Sequence, residues 1–346
     1  MSAPLTQQDR AVGAIIGSLI GDALSVGPHW YYDLDQQRAD YGDWIADYLP
    51  AKEGRYHYPL EVGEVSQTGQ ITLLLLESLA EQGGYNPVDF TQRFDTLLET
   101  LDGTPRGGRY TDHAIRDVYR QRKAGLPWSE VGSRSADTAD SAIFLAPLAA
   151  RYAGDLQGFA DRATQQIRFT HRNPIIGINA LAWGLVVAGV IAGADLATIA
   201  ATINQAQQSG ALKINLPIDH TEESYKSAVP TPAKWAWLIA HNDGVKIEPA
   251  SLASQVWGMA CAQHYLLPAA YYLVSRFPND FESAVLHAVN GGGHNVARAS
   301  LTGALSGAMV GLSGIPLRFI EGLKHHERYL DLAQQVAEAG VGVGVG

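Results

Sequence analysis

Apolar residues recur at spacings of three and four along most of this 346-residue chain, the period of an α-helix with one buried face. Short alternating runs typical of strands are few. The pattern predicts an all-α fold: a single compact multi-helix domain over residues 1–338 and a flexible Gly/Val tail at 339–346. The predicted helices cover residues 7–25, 69–82, 88–101, 111–123, 139–153, 156–168, 174–193, 195–208, 249–273, 280–289, 297–311 and 326–338.

Glycine recurs every four residues from Gly13 to Gly21 in the first helix and from Gly303 to Gly311 in a later one. Residues four apart share one helix face. Each glycine costs about 1 kcal/mol against alanine inside a helix. Such repeated use predicts close packing of helix backbones, or ligand access.

Two segments need an explanation of their own. The uncharged run 175–194 is as long as a membrane span, but it contains Asn179, is rich in Gly and Ala and lacks flanking basic clusters. We interpret it as a buried central helix and expect no membrane partner. The stretch 213–233 carries three prolines and predicts a long loop, one candidate for a lid.

Charge and cysteine content narrow the functional classes. The net charge is −10 and the pI is near 5.5, without a Lys/Arg cluster, which argues against nucleic acid as a partner. The single cysteine, Cys261, excludes an internal disulfide framework and a Cys-based zinc cluster, and we expect a buried, inert thiol. The polar start, residues 1–10, has no signal-peptide core, so we expect a cytoplasmic protein. The sequence leaves the oligomeric state open.

The first candidate site follows the first helix. Asp22 is an acid at the end of an apolar helix, and His29 follows Pro28, outside the helix. Trp30 and the two tyrosines after it offer a stacking wall for a base or sugar. The alternative interpretation makes Asp22 a brace for a neighbouring loop and the aromatic rings part of the core.

Two polar runs each open an apolar helix, where free backbone amides favour anions. Ordinary helix capping explains the first run equally well, and a glycine loop explains the second. The first run supplies the candidate ligand-binding residues Glu64, Ser66, Gln67 and Thr68, and the second supplies Asn290, Gly292, Gly293, His294 and Asn295.

Further polar residues fall between helical segments, where sites usually assemble. Asp112 and His171 are the candidates for ligand binding there, and the run Asp137–Ser141 is polar as well. A histidine near a helix end is more often a hydrogen-bonded structural residue, so both interpretations stay open.

In this order, the segments resemble the ADP-ribosylglycohydrolases, all-helical enzymes that remove ADP-ribose with two magnesium ions. The run Gly17–Leu24 resembles the first helix of the family and its Gly-Asp-Ala turn, and Gln70–Leu79 the helix after its Thr-Asp-Asp-Thr metal motif. Ala146–Leu148 and Phe169–His171 match internal landmarks. The turn Pro28–Asp33 is most similar to the J-type lens crystallins of the same superfamily.

The departures from the family pattern fall on its metal ligands. Ser66, Gln67, Thr68 and Gly69 stand for the first motif, and His294, Val296 and Ala297 for two Asp and the Thr of the second. Magnesium requires anionic oxygen ligands. We therefore expect no two-magnesium site and predict no metal ligands, with zinc as an option only if His29, His294 and a carboxylate converge.

Two functions remain from the sequence. The first is a divergent hydrolase of an N- or O-ribosyl or related glycosidic bond, with Asp22 as base or electrostatic stabiliser and His29 or His294 as acid. The second is a non-catalytic pseudoenzyme that binds ADP-ribose or a nucleotide, or serves a structural crystallin-like role. The hydrolase and the ligand-binding pseudoenzyme would both take a small-molecule or ADP-ribosyl-type ligand, whereas a pseudoenzyme could also hold a protein partner.

Overall fold

A computed structural model describes residues 5–106, 109–219, 221–228 and 230–341. Helices form nearly all of its regular structure, which confirms the predicted all-α class. The helices are α1 Gln7–Val26, α2 Leu34–Tyr41, α3 Gln67–Glu81, α4 Pro87–Glu99, α5 His113–Lys123, α6 Asp140–Ile143, α7 Ala146–Tyr152, α8 Leu156–Arg168, α9 Pro174–Ile191, α10 Ile199–Gln208, α11 Thr231–Ala240, α12 Ala253–Trp257, α13 Gln263–Arg276, α14 Phe281–Asn290, α15 Asn295–Val310, α16 Leu317–Gly322 and α17 His326–Val341.

The predicted boundaries differ from the observed ones where the chain turns without losing its apolar character. Segment 139–153 is two short helices, α6 and α7, and segment 249–273 is a 3₁₀ turn, α12 and the start of α13. Segment 195–208 becomes helical only at Ile199. Apolar spacing carries no signal for such breaks, because apolar residues continue on both sides of each one.

The apolar pattern did not predict three of the helices that the structure describes: α2, α11 and α16. Each is short, and α2 is so polar that it buries only Gln37. The stretch 213–233, predicted as a loop, contains a small antiparallel pair, Leu216–Pro217 with Ser224–Tyr225, and the start of α11.

Helices α1 and α15 lie back to back and antiparallel, so the glycines serve the close packing that was one of their two predicted roles. A Cβ at Gly17 would fall 2.2 Å from the carbonyl oxygen of Gly303, and one at Gly307 would fall 2.0 Å from that of Gly13. The neighbouring atoms are backbone, so neither side can yield. This contact places the C-terminal end of α1 beside the N-terminal end of α15, where the candidate site residues begin.

Helix α9 is the apolar helix of the central core. It is long and apolar enough to cross a membrane by length and composition, but 78% of the relevant window is buried inside the protein. Cys261 is only half-buried, in contrast to the prediction. Burial still raises the pKa of its thiol to about 12, which keeps it protonated and unreactive at neutral pH.

The last helix, α17, runs to Val341 and so extends past the predicted domain end at residue 338. The remainder of the predicted tail, residues 342–346, lies outside the described residues.

Candidate functional site: a buried histidine chamber

The site forms where the segment after α1 meets the segment before α15. The ring centroids of His29 and His294 lie 4.9 Å apart, with the ring planes at 80°. Backbone hydrogen bonds fix the two segments: the amide of Trp30 donates to Gly293 (3.1 Å), and that of Gly293 donates to Tyr31 (2.6 Å). Gly292 and Gly293 have φ of 64° and 58°, a region in which glycine carries no Cβ penalty.

The residues at the start of α3 reach the same place. Ser66 and Thr68 line one small cavity together with three histidines and two carboxylates; we call this cavity the inner chamber. Its volume is about 10 Å³, enough for about one water molecule. The lining residues are His29, His57, Ser66, Thr68, Tyr110, Asp112, Asp140, His294 and Val296.

Asp22 stands behind the chamber rather than on its wall. Its carboxylate accepts hydrogen bonds from the amide and the hydroxyl of Ser66, both at 2.6 Å. Burial raises the pKa of Asp22 to about 6, while the hydrogen bonds from Ser66 oppose that rise. Asp22 therefore positions the N-terminal turn of α3, and it affects the chamber through its hydrogen bonds with Ser66.

The two carboxylates of the chamber are held by threonines. Thr68 donates its hydroxyl to Asp140 Oδ1 (2.6 Å), and Oδ2 is buried with no partner among the described residues. Asp112 accepts from the amide of Ala114 (2.8 Å) as the N-cap of α5. Burial, and then the nearby charge of Asp140, raises the pKa of Asp112 to about 7. Asp112 thus exchanges a proton near neutrality.

His171 supports this pair from the side. Its Nε2 lies 3.0 Å from the hydroxyl of Thr138, which itself contacts Asp112 Oδ1 at 3.3 Å. Burial lowers the pKa of His171 to about 4, so the ring is neutral. His171 lies outside the chamber wall and braces Asp112 through Thr138.

The sequence predictions missed two residues of the chamber wall, His57 and Tyr110. His57 is 2% exposed, and its Nε2 lies 2.6 Å from Nδ1 of His29. The segment around His57 lacks the apolar spacing of a helix, so the apolar pattern does not mark this residue. A histidine flanked by Tyr56 and Tyr58 in such a segment was the available signal.

All three chamber histidines are neutral at neutral pH. Burial, followed by the neighbouring imidazoles, holds the pKa of His29 well below its usual 6.5. Burial lowers the pKa of His57 to about 3 and also lowers that of His294. Each ring therefore offers one N–H donor and one lone pair. In the described part of the chain, His29 Nε2, His57 Nδ1 and His294 Nδ1 are buried and find no hydrogen-bond partner.

A larger, open pocket adjoins the chamber across the indole of Trp30. We call it the outer pocket; its volume is about 340 Å³. Trp30 packs parallel to His29 at 5.1 Å and edge-on to Tyr56 at 5.2 Å. The lining combines aromatic rings and guanidinium groups without a carboxylate: Trp30, Tyr32, Gly54, Arg55, Tyr56 and Arg106.

The remaining predicted ligand-binding residues lie away from the chamber wall. Glu64 lines a separate surface cavity with Arg109. Gln67 donates to Thr111 (3.0 Å) at the start of α3. The side-chain amide of Asn290 holds the backbone of Ile45, and that of Asn295 donates to Pro28 (3.1 Å). These amides tie the site segments together through the backbone.

The residues at the two metal-motif positions do not fit a pair of magnesium ions. Val296 and Ala297 carry no donor atom, and the amide of Gln67 is bound to Thr111. His29, His294 and Asp140 do converge, the condition set for zinc. Within the described part of the chain, however, no group of three or more His, Cys, Asp or Glu residues is arranged to hold a metal ion.

The sequence model of the ADP-ribosylglycohydrolase family matches residues 3–344. The chain belongs to the ADP-ribosylglycohydrolase family. It is 23% identical over 342 residues to crystallin J1A of Tripedalia cystophora, a match that covers 96% of this chain and 97% of the crystallin. It is 22% identical over 319 residues to the ADP-ribosyl-[dinitrogen reductase] glycohydrolase of Rhodospirillum rubrum, covering 89% and 88% of the two chains.

A solved structure of an ADP-ribosylglycohydrolase-related protein complex shares the fold. The TM-score is 0.67 at 21% identity, and the match covers 96% of this chain and 99% of the other. The resemblance to the family and to its J-type crystallins is thereby confirmed, over nearly the whole chain.

Proposed function

We propose that this family member binds an ADP-ribosyl-type ligand and hydrolyses its N- or O-ribosyl bond without a two-magnesium site. The observation that carries the proposal is the set of buried, unpartnered polar atoms around the inner chamber. His29 Nε2, His294 Nδ1 and Asp140 Oδ2 are among them. A buried polar group without a partner lowers the stability of the folded protein by about 1–3 kcal/mol. In a site that no longer binds a ligand, we would expect apolar residues to replace such groups.

The chamber supplies what ribosyl-bond cleavage needs. Such a bond breaks through an oxocarbenium-like transition state, with a carboxylate or activated water on one side and a proton donor on the other. Asp112 and Asp140 supply the carboxylates, and the neutral rings of His29 and His294 accept or donate a proton. Asp22 contributes by holding Ser66 in place.

The outer pocket is suited to the rest of such a ligand. The rings of Trp30 and Tyr56 offer a stacking surface for a base, and Arg55 and Arg106 offer charge to phosphates. Because Trp30 lies between pocket and chamber, the ligand has to displace its indole for the ribosyl bond to reach the histidines.

A calorimetric titration with ADP-ribose, in EDTA and again with magnesium, tests the binding part. We expect the same affinity in both. Binding that requires magnesium would show that a metal site exists at other residues. An arginine-linked and a serine-linked ADP-ribosyl peptide then test turnover, which Asp22→Asn combined with His29→Ala should abolish while ADP-ribose binding persists. Unchanged turnover in that variant would refute the assigned roles.

A non-catalytic binding or structural role is the second candidate. Its support is the loss of every carboxylate at the metal-motif positions, together with the similarity to crystallin J1A. This role predicts ADP-ribose binding without release of ADP-ribose from either peptide.

A further inference from the structure

His57 and His29 form a hydrogen-bonded pair of imidazoles. Nε2 of His57 and Nδ1 of His29 are 2.6 Å apart, the ring centroids are 4.7 Å apart and the planes differ by 25°. These values describe two nearly coplanar rings that meet edge to edge, with one proton between them. Both side chains are buried.

The number of protons in the pair is fixed by its charge. A neutral imidazole carries one proton, so the neutral pair carries two. One of the two lies between Nε2 of His57 and Nδ1 of His29. The other must sit on one of the two outer nitrogens, His29 Nε2 or His57 Nδ1, and the opposite outer nitrogen is then a bare lone pair. The pair therefore has one acidic end and one basic end.

Both ends have spare hydrogen-bonding capacity. His29 Nε2 and His57 Nδ1 are buried and have no hydrogen-bond partner among the residues that the structure describes. Both residues line the inner chamber, whose volume of about 10 Å³ holds about one water molecule. Burial lowers the pKa of both rings, which keeps the pair neutral at neutral pH.

Packing alone does not account for this arrangement. Apolar side chains in place of both rings would fill the same space without leaving a donor or an acceptor unmet. The two polar ends are instead kept, at a point where Ser66, Thr68 and two carboxylates also converge.

We propose that His57, with His29, is a catalytic proton relay that acts as base and acid in one hydrolytic step. This inference rests on the proposed ribosyl-bond hydrolysis and names the residues that move its protons. Water attacks the anomeric carbon, and the bond to the leaving group breaks with its electron pair on the leaving group. The bare outer nitrogen takes a proton from the water, the central proton shifts to the other ring, and the opposite outer nitrogen gives its proton to the leaving group.

Protons and charge balance in this step. The pair loses one proton and gains one, and it stays neutral throughout. It ends in the reversed tautomer, which returns to the starting one by exchanging a proton with water at each end. A buried site benefits from such a step, because no charged imidazole forms in the low-dielectric interior.

The variants His57→Gln and His57→Leu separate relay from positioning. The Gln amide can still donate to His29 Nδ1, but it cannot pass a proton on. With ADP-ribosyl peptides as substrates, we expect both variants to lose roughly 100-fold or more in kcat and to keep ADP-ribose affinity. His264→Gln, at an exposed histidine, should match the wild type. In mixtures of H₂O and D₂O, the wild-type rate should depend non-linearly on deuterium fraction, since two or more protons move together.

Nitrogen-15 NMR of histidine-labelled protein tests the pair without any substrate. We expect a coupling between His29 Nδ1 and His57 Nε2 across the hydrogen bond in the wild type, and its loss in both variants. Wild-type turnover in His57→Gln, or spectra without a shared proton, would overturn the relay while leaving the hydrolase standing. Absence of turnover in the wild-type protein would overturn both.

Discussion

Gly17 and Gly303 face each other without room for a side chain on either: a Cβ at Gly17 would fall 2.2 Å from the carbonyl oxygen of Gly303, and one at Gly303 would fall 2.0 Å from that of Gly17. The contact decides where the site lies. Because α1 and α15 run antiparallel at this distance, the chain leaves one helix and enters the other at the same end of the pair. His29 and His294 are brought together there.

Gly303→Ala tests this contact. The added methyl group has to push two backbones apart, which should lower the free energy of unfolding by about 1–3 kcal/mol. Urea unfolding of the variant measures the loss. Gly154→Ala is the matched control, since a Cβ there meets nothing closer than 3.8 Å. Equal stability of the two variants would contradict the close approach.

His57 should make the protein sensitive to acid. Its pKa is about 3 when folded and 6.5 when exposed, so below pH 6.5 the unfolded chain binds a proton that the folded protein does not. The stabilisation is complete above pH 6.5 and is lost as the pH falls, by about 1.4 kcal/mol per pH unit. His57→Gln should therefore lose about 2 kcal/mol less than the wild type between pH 6.5 and 5.

Two buried acids change the stability with pH in the opposite direction to His57. The raised pKa values of Asp22 and Asp112 favour the folded state at low pH, and that contribution disappears as the pH rises. Both acids are present in wild type and variant, so the difference between the two unfolding curves isolates His57. Parallel curves from pH 7 to pH 5 would show that this ring is not buried in its neutral form.

Arg106→Gln tests the proposed ligand end of the outer pocket. Arg106 lies over the ring of Tyr56, with its guanidinium carbon 4.3 Å from the centroid. Loss of one charged hydrogen bond to a phosphate should weaken ADP-ribose binding about ten-fold. Titration calorimetry measures this, and Arg120→Gln, at an exposed surface pair with Asp117, should bind like the wild type. An unchanged affinity in Arg106→Gln would place the phosphates elsewhere.

Arg298, near the start of α15, stabilises the glycine-rich segment that precedes this helix. It is fully buried, donates to the carbonyls of Ala288 and Gly292, and caps the C-terminal end of α14. Burial lowers its pKa to about 9. We expect Arg298→Met to cost about 3 kcal/mol, because two carbonyls lose a charged donor. Urea unfolding tests this against Arg318→Met, whose exposed pair with Glu282 should contribute less than about 1 kcal/mol.

The all-α fold could be predicted because the sequence patterns that mark each helix lie within the helix itself. Apolar spacing marks α1, α3, α8 and α9, and the glycine repeats of α1 and α15 predicted close backbone packing or ligand access, of which the structure shows the first. The break inside residues 139–153 was not predictable, because tertiary packing buries both sides of it, and the break inside 249–273 falls in a run that stays apolar in sequence although Val256 is exposed. The polar helix α2 carries no apolar stripe to find.

The site was predictable in part, for a similar reason. His29, His294, Ser66, Thr68 and Asp112 stand at helix ends, and all of them line the chamber. The roles of polar side chains depend on partners far away in sequence. Asn290 and Asn295 were expected to face a ligand and instead bind backbone carbonyls. The role inferred for His57 depends on its contact with His29, which lies 28 residues away in sequence.

The pairing of α1 with α15 also dictates when the protein can acquire its function during translation. Helix α1 is buried along nearly its entire length, and the surface that covers it is synthesised last but for the final two helices. Until residues 295–310 leave the ribosome, an almost wholly apolar segment lacks its cover and is open to aggregation or chaperone binding. A chain that stops before residue 294 therefore lacks His294, and its first helix lacks α15 as a partner to pack against.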